Sequence, residues 1–318
     1  MQKKLISIII PLLNEEEILE KCYSQICTAL NNKEKDCDFE FIFMDNFSDD
    51  QSFKKLQKIA RKDKRVKVVS LSKNFGYQRS IWTGYKVSKG SAAIVFDCDL
   101  QDPPELLEEF INFWEKGYKV VYGIRKSRKE GKLITFVRKS FYRMISSISQ
   151  NALPRDVGDF MLVDRVILDL LKKVENPKIY LRGLIFSFGF SSYGIEYSRL
   201  SRKTGMSKFK LKELTKIASD GIFSQSTVPL RLSLFFGLLV VVLSFLLIVG
   251  YLTLKIFTGD SLPAGFTTLV ILLLVSISFN AIFLGIIGEY LSRMYEILLK
   301  PPMSIINKSI NLQKEDYE

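Results

Sequence analysis

Two aspartates one residue apart, Asp97 and Asp99, end the short apolar run Ala92-Ala93-Ile94-Val95-Phe96. An apolar run of that length bounded by a turn predicts a buried strand. In open α/β sheets, ligands bind beyond the carboxyl ends of the strands. Two carboxylates placed there can hold a hard divalent cation, Mg²⁺ or Mn²⁺, and through it a phosphate. The competing reading is a solvated Asp turn capping the helix that begins near Pro104.

Two further apolar runs end in the same way, at Asn14-Glu15 and at Asp45-Asn46. The elements that must position these groups alternate along the first half of the chain. Strands are predicted over 5–10, 39–44, 66–71, 92–96 and 119–123, with helices over 15–30, 50–63, 78–87 and 105–116. That order implies an α/β fold, with a mostly parallel sheet covered by helices on both faces. Three polar clusters then fall at one end of one sheet, as a ligand crevice requires.

Composition narrows the chemistry. The chain has no histidine, which excludes Ser-His-Asp and Cys-His nucleophilic catalysis and His-built zinc or iron sites. A general base must then be a carboxylate, Lys, Tyr or Cys. The net charge of +12 points to anionic partners: nucleotide phosphates, lipid phosphates or a membrane surface. No nucleic-acid-binding motif accompanies the charge, so no nucleic acid partner is assigned. The four cysteines, Cys22, Cys27, Cys37 and Cys98, lack paired zinc spacing and read as reduced, cytosol-facing thiols.

The composition changes at Leu232. Leu232 to Leu254 carries no charge, and a second apolar segment runs from Phe266 to about Leu284. Each approaches or exceeds the ~20 residues that cross a bilayer, so a two-helix transmembrane hairpin is expected. Lys and Arg crowd the segment before it and recur in the tail, while the connecting loop holds only Lys255. Positive charge on that side predicts a multi-pass protein of the cytoplasmic (inner) membrane, with both termini and the first domain in the cytoplasm. Met206 to Phe223 alternates apolar and lysine positions as an amphipathic juxtamembrane helix would. Upstream, the basic loop 125–132 reads as solvated or as a lid over phosphates. The helix expected over 134–149 is basic and amphipathic, suited to an interface or to an ordinary surface. The expected domains are therefore 1–205, 206–231, 232–291 and a tail, 292–318.

With these motifs assembled, the chain resembles the family-2 glycosyltransferases of the polyisoprenyl-phosphate type, which include bactoprenol glucosyltransferases and dolichol-phosphate mannose synthases. The resemblance rests on Ile8-Ile9-Ile10-Pro11-Leu12-Leu13-Asn14-Glu15-Glu16, Leu71-Ser72-Lys73-Asn74-Phe75-Gly76 and Asp97-Cys98-Asp99-Leu100-Gln101-Asp102-Pro103-Pro104-Glu105. It continues through Val157-Gly158-Asp159-Phe160, Arg182-Gly183-Leu184-Ile185, Arg199 to Lys208, and the hairpin borders. It implies a Rossmann-like GT-A domain that moves one sugar, with inversion, from a UDP-sugar to a polyisoprenyl phosphate.

The same resemblance implies the site. Pro11, Leu13, Glu15, Asp45, Asn46, Asp97, Gln101 and Arg125 would bind the nucleotide-sugar, with Asp97 and Asp99 at the metal. Asp159 would orient the acceptor or act as base, and Arg199, Arg202, Ser207 and Lys208 would grip the lipid phosphate, with the donor diphosphate as the alternative for the three cations. A homotetramer is also implied. Glucose is the first candidate sugar, with aminosugars, 4-amino-arabinose derivatives and GDP-mannose with dolichyl phosphate as alternatives. A membrane-anchored sensor without catalysis is a further reading. The chain departs from the family at Asp45-Asn46-Phe47-Ser48-Asp49-Asp50, where Asp-Asp-Gly-Ser-x-Asp is usual, and at Leu13, where an aromatic is common. Asn46 replaces the carboxylate expected to accept from the uracil imide N–H; its amide oxygen can accept without charge.

Overall fold

The computed structural model describes residues 3–125, 157–174, 180–199, 265–299 and 302–313, with isolated positions between 239 and 257. The chain divides into two compact units, Met1–Lys208 with Lys300–Glu318, and Phe209–Leu299.

The first unit is built on β1 (Lys4–Leu12), α1 (Leu19–Leu30), β2 (Cys37–Asp45), α2 (Ser52–Lys62), β3 (Val66–Leu71), α3 (Tyr77–Val87), β4 (Ala92–Val95) and α4 (Leu106–Glu115). It continues with β5 (Val120–Arg125), β6 (Val157–Asp164), α5 (Arg165–Leu171), α6 (Leu181–Ser187), β7 (Ser192–Tyr197) and, near the C-terminus, β8 (Ile306–Ile310). The strands form one sheet in the order β7-β5-β6-β4-β1-β2-β3-β8. Pairings β1–β2, β1–β4 and β2–β3 are parallel, as the alternation of strands and helices predicts, and β5 also pairs in parallel with β7, a strand outside the sequence-based expectation.

Strand periodicity places the core on both faces of this sheet. Ile6, Ile8 and Ile10 of β1 pack on one side with Leu19, Ile26, Leu56 and Phe110. Ile9 packs on the other with Ile81, Tyr85, Ile167 and Leu168. Burial on both faces explains why β1 reads as an unbroken apolar run rather than an alternating one.

Three features differ from the sequence-based expectation. Helix α1 begins at Leu19 rather than Glu15, because residues 16–18 form a turn first. Strands β6 and β8 are antiparallel insertions, pairing with β4 and β5 and with β3, so the sheet is mixed toward its edges. The tail expected to be separate returns to the first unit. Val68 pairs with Ile310, and the Ser72 amide donates to the Ile305 carbonyl at 2.9 Å. Asn311 Nδ2 donates to the carbonyls of Ala60 and Val66.

The second unit contains α7 (Phe266–Leu298), 33 residues and about 50 Å long. Its stretch Val275–Ser292 has a mean hydropathy of 1.4 and no residue buried, and is long enough to cross a membrane. It is the one such helix among the described residues. The earlier apolar segment 232–254, the loop after it, the juxtamembrane helix 206–223 and the basic region 126–149 lie wholly or largely outside the described residues.

Candidate active site

The loops after β1 and β2 are stitched together. The Asn14 amide donates to Ser48 Oγ at 3.0 Å, and Asn14 Oδ1 accepts from the Asp49 amide at 3.0 Å. The Glu15 amide donates to Ser52 Oγ, the Glu16 amide to Asp50 Oδ2, and the Gln51 amide to the Glu16 carboxylate at 2.7 Å. Short polar side chains that bond nearby backbone groups are suited to this because they replace a regular ladder. Pro11 fits the end of β1 for a related reason. The last β1–β4 pair is Ile9–Val95, and the Ile9 carbonyl takes the Phe96 amide. Pro11 faces the same side two residues on, past the ladder, where its missing N–H leaves no gap.

Asp45 is buried at the end of β2, accepting from the Ser48 amide at 3.0 Å and Ser70 Oγ at 2.8 Å. Asn46 is buried beside it. Its Nδ2 donates to Asn74 Oδ1 at 2.8 Å, and its Oδ1 accepts from the Phe75 amide at 3.0 Å. The oxygen expected to read a base therefore already anchors the loop before α3, and one lone pair remains to it.

Phe47 follows with φ +70° and its ring 52% exposed. Asn14 (φ +57°) and Leu100 (φ +53°) are also left-handed, so each of the three loops after β1, β2 and β4 holds one such non-glycine residue. For a bulky residue this region is uncommon, and such outliers gather at binding sites. Leu13 is exposed in the same loop as Asn14.

The opposite part of the crevice is held by charge. Arg199, two residues past β7, reaches the aspartates after β4. Its Nη2 lies 3.7 Å from Asp97 Oδ2 and 3.9 Å from Asp99 Oδ2. Its Nε donates to Asp102 Oδ1 at 3.1 Å. Asp102 is fully buried, and its Oδ1 also accepts from the Tyr197 hydroxyl at 2.6 Å. Arg125, at the end of β5 and paired in register with Tyr197, donates to the Tyr197 hydroxyl at 3.1 Å and lies 3.6 Å from Asp102 Oδ2. A Cβ at position 158 would fall 2.8 Å from Arg125 Nη2, so Gly158 leaves room for this guanidinium. Asp159, on β6, lies 3.7 Å from Arg182 Nε of α6.

Burial pushes the Asp97 carboxyl up to about 6, with the charges of Asp99, Asp102 and Asp159 adding to the rise and the Tyr77 hydrogen bond opposing it. Tyr77 donates to Asp97 Oδ1 at 2.5 Å. Burial and the neighbouring carboxylates hold its own phenol well above the ordinary range, so it stays a donor. Burial alone would lower Arg125, but the Tyr197 hydroxyl and the Asp102 charge outweigh it and raise it.

The donor chemistry suits Mg²⁺ or Mn²⁺. Asp97 and Asp99 each have an Oδ2 within 4 Å of Arg199 Nη2, and carboxylate oxygens are the hard ligands these ions take. No group of three acidic, Cys or His residues forms a protein-only cage among the described residues. None is needed for Mg²⁺, which keeps waters and uses one or two carboxylates plus substrate phosphates.

The fold thus gathers Pro11, Leu13, Glu15, Asp45 and Asn46 into one group, and Asp97, Asp99, Arg125 and Arg199 into another. Gln101 joins the second group through its amide, which donates to Asp99 Oδ1 at 3.1 Å. Asp159, paired with Arg182, lies close enough for its charge to act on Asp97 and Tyr77. Arg202, Ser207 and Lys208 lie outside the described residues. Asp102, Tyr77 and Tyr197 received no role from sequence. The spacing of Asp102, three residues after Asp99, was the available signal; Tyr197 offered none.

The profile of "Glycosyl transferase family 2" matches residues 7–171. A Bacillus subtilis protein named "Uncharacterized glycosyltransferase YkcC" is 36% identical over 97% of this chain and 95% of its own. The "SfII prophage-derived bactoprenol glucosyl transferase" of Shigella flexneri is 30% identical over 96% of this chain and 98% of its own. Among solved structures, a Mycobacterium tuberculosis glucosyl-3-phosphoglycerate synthase in complex with Mn²⁺, UDP and glucosyl-3-phosphoglycerate gives a TM-score of 0.44 at 14% identity. That match covers 69% of this chain and 78% of that chain.

Proposed function

The chain belongs to glycosyl transferase family 2, and from that premise we propose that it transfers a single sugar from a UDP-sugar to undecaprenyl phosphate, with inversion, at the cytoplasmic face of the membrane. Glucose is the first candidate sugar, in line with the name of the Shigella relative. The observation that carries the reading is the pair of Asp97 and Asp99 past the carboxyl end of β4, each with an Oδ2 within 4 Å of Arg199 Nη2, together with the stitched loops after β1 and β2.

Each part of the crevice has a task in this reading. The stitched loops hold the nucleoside, with Asp45 fixed by Ser48 and Ser70 and the Phe47 ring available to lie against the base. Mg²⁺ or Mn²⁺ held by Asp99, with Asp97 on the metal or reaching it and the ribose through water, would offset charge developing on the leaving diphosphate. Arg125 adds a fixed positive charge nearby, held by Tyr197 and Asp102. The acceptor needs little activation, since the second pKa of a phosphate monoester is about 6. Asp159, with Arg182 beside it, therefore serves to align the acceptor behind the anomeric carbon.

The apolar α7 supports membrane attachment. We extend the reading to a two-helix hairpin with both termini cytoplasmic, and to a homotetramer. The engagement of Asn46 Oδ1 by the Phe75 amide favours testing a second donor class, because a base other than uracil would make different demands there.

Purified protein in detergent, undecaprenyl phosphate and a panel of UDP-sugars plus GDP-mannose, each with Mg²⁺ or Mn²⁺ and again with EDTA, tests the proposal. A butanol-extractable glycolipid from one UDP-sugar, lost with EDTA, is expected. Product from GDP-mannose alone would move the donor assignment. Donor binding without turnover on any lipid phosphate would replace the enzyme with a sensor.

A further inference from the structure

Arg199 occupies an unusual place for a residue expected to grip an acceptor. One guanidinium faces Asp97, Asp99 and Asp102, and it is four-fifths buried. The contacts differ in kind. Nε to Asp102 Oδ1 is a hydrogen bond of 3.1 Å, whereas Nη2 to Asp97 and Asp99 is an ion-pair contact of 3.7 and 3.9 Å without hydrogen-bond geometry. Asp102 belongs to the scaffold: it is fully buried and tied to Tyr197 and Arg125. The two outer aspartates hold Arg199 loosely, through the same Oδ2 atoms that a divalent cation would need.

We infer that Arg199 is the resting counter-ion of the Asp97–Asp99 pair, and that arrival of the donor with its divalent cation displaces its Nη2 end. This rests on the donor and cation reading given above. Like charges set this close are costly in a partly desolvated site unless a cation stands between them. Before donor binds, that cation is Arg199. A divalent ion competes for the same two oxygens and cannot share them with a guanidinium without strong repulsion. The Nε bond to Asp102 is the pivot: it keeps the base of the guanidinium in place while Nη2 swings. The consequence is a competition in which the divalent cation must displace a charge already seated.

The test uses full-length protein in detergent. Mn²⁺ alone is titrated and followed by the loss of the free-ion EPR signal, for the wild type, Arg199→Gln and Arg199→Met. Melting curves check that each variant folds, and either folded variant suffices. Removing the competing charge is expected to tighten Mn²⁺ binding by roughly tenfold or more. Equal or weaker binding in a folded variant overturns the inference and makes Arg199 a scaffold residue. Absence of Mn²⁺ binding in every protein, with or without UDP, overturns both this inference and the metal assignment beneath it. Tight Mn²⁺ binding by the wild type that no substitution improves overturns this inference alone.

Discussion

On the side of the crevice that follows β1 and β2, backbone amides are donated to Ser, Asn, Asp and Glu side chains, and little depends on net charge. On the side that follows β4, β5 and β7, contacts run between full charges, several longer than a hydrogen bond. The first arrangement is complete without a ligand, because each donor has its acceptor. The second is a compromise among like charges, and its balance shifts when a cation enters or leaves. In the function proposed above, the first would be a preformed pocket for the nucleoside and the second a charge-balanced pocket for cation and diphosphate, with shape fixed in one and charge exchanged in the other.

The strongest way to break this contrast is Asp99→Asn. Turnover should fall by roughly a thousandfold, the range seen when a group that stabilises transition-state charge is removed. The melting temperature should hold or rise, because one of the crowded carboxylates is gone. A parallel loss of folding would mean that the aspartates are structural.

Asp45→Ala probes the other side and should do the reverse. It strips the acceptor from the Ser48 amide and Ser70 hydroxyl at a buried position, costing about 2 kcal/mol. That corresponds to a fall of roughly 4–8 °C in melting temperature, with donor KM rising as the loop loosens. Thermal melts and donor titrations read both.

Phe47→Gly sharpens the comparison within the stitched side. Relief of a left-handed backbone should stabilise the protein by about 1 kcal/mol. Loss of the exposed ring should weaken UDP binding roughly three- to tenfold, measured calorimetrically. Unchanged UDP affinity would remove Phe47 from the base site.

The smallest effect lies outside the crevice. The Asp63 carboxyl is held at about 2, chiefly by the Arg65 side chain with Tyr23 helping. Its folded value is below the ordinary one of about 3.9, so its stabilisation is complete above about pH 4 and is lost as pH falls toward 2. In Asp63→Asn the acid limb of melting temperature against pH should be shallower, with a change of under about 1 kcal/mol at neutral pH. An identical acid limb would show that this ion pair adds nothing to acid stability.

Much of this was legible in the order of residues. Local patterns determined the parallel centre of the sheet, since a strand buried on both faces must read as an apolar run and each crossover needs its helix. They also placed Asn14, Asp45, Asp97 and Asp99 at one end of that sheet, because each directly follows such a run. The absence of histidine and the family motifs set the class of chemistry before any contact was known.

What remained depended on contacts between residues far apart in sequence. Strand β8 pairs with β3 across more than two hundred positions, and its short, partly exposed sequence carries no periodicity that announces a strand. Asn46 read alone is a base-reading amide; its engagement with Asn74 and Phe75 arises only when two loops meet. Arg199 read alone is one of many basic residues beside a membrane segment, and Asp102 one acid among several. Only the sheet order, which sets β7 beside β5, β5 beside β6 and β6 beside β4, brings Arg199 against Asp102, Asp97 and Asp99. Residue type and spacing can specify which groups are available for chemistry. Which charge neutralises which is a matter of distance through space, and the chain has no distance until it folds.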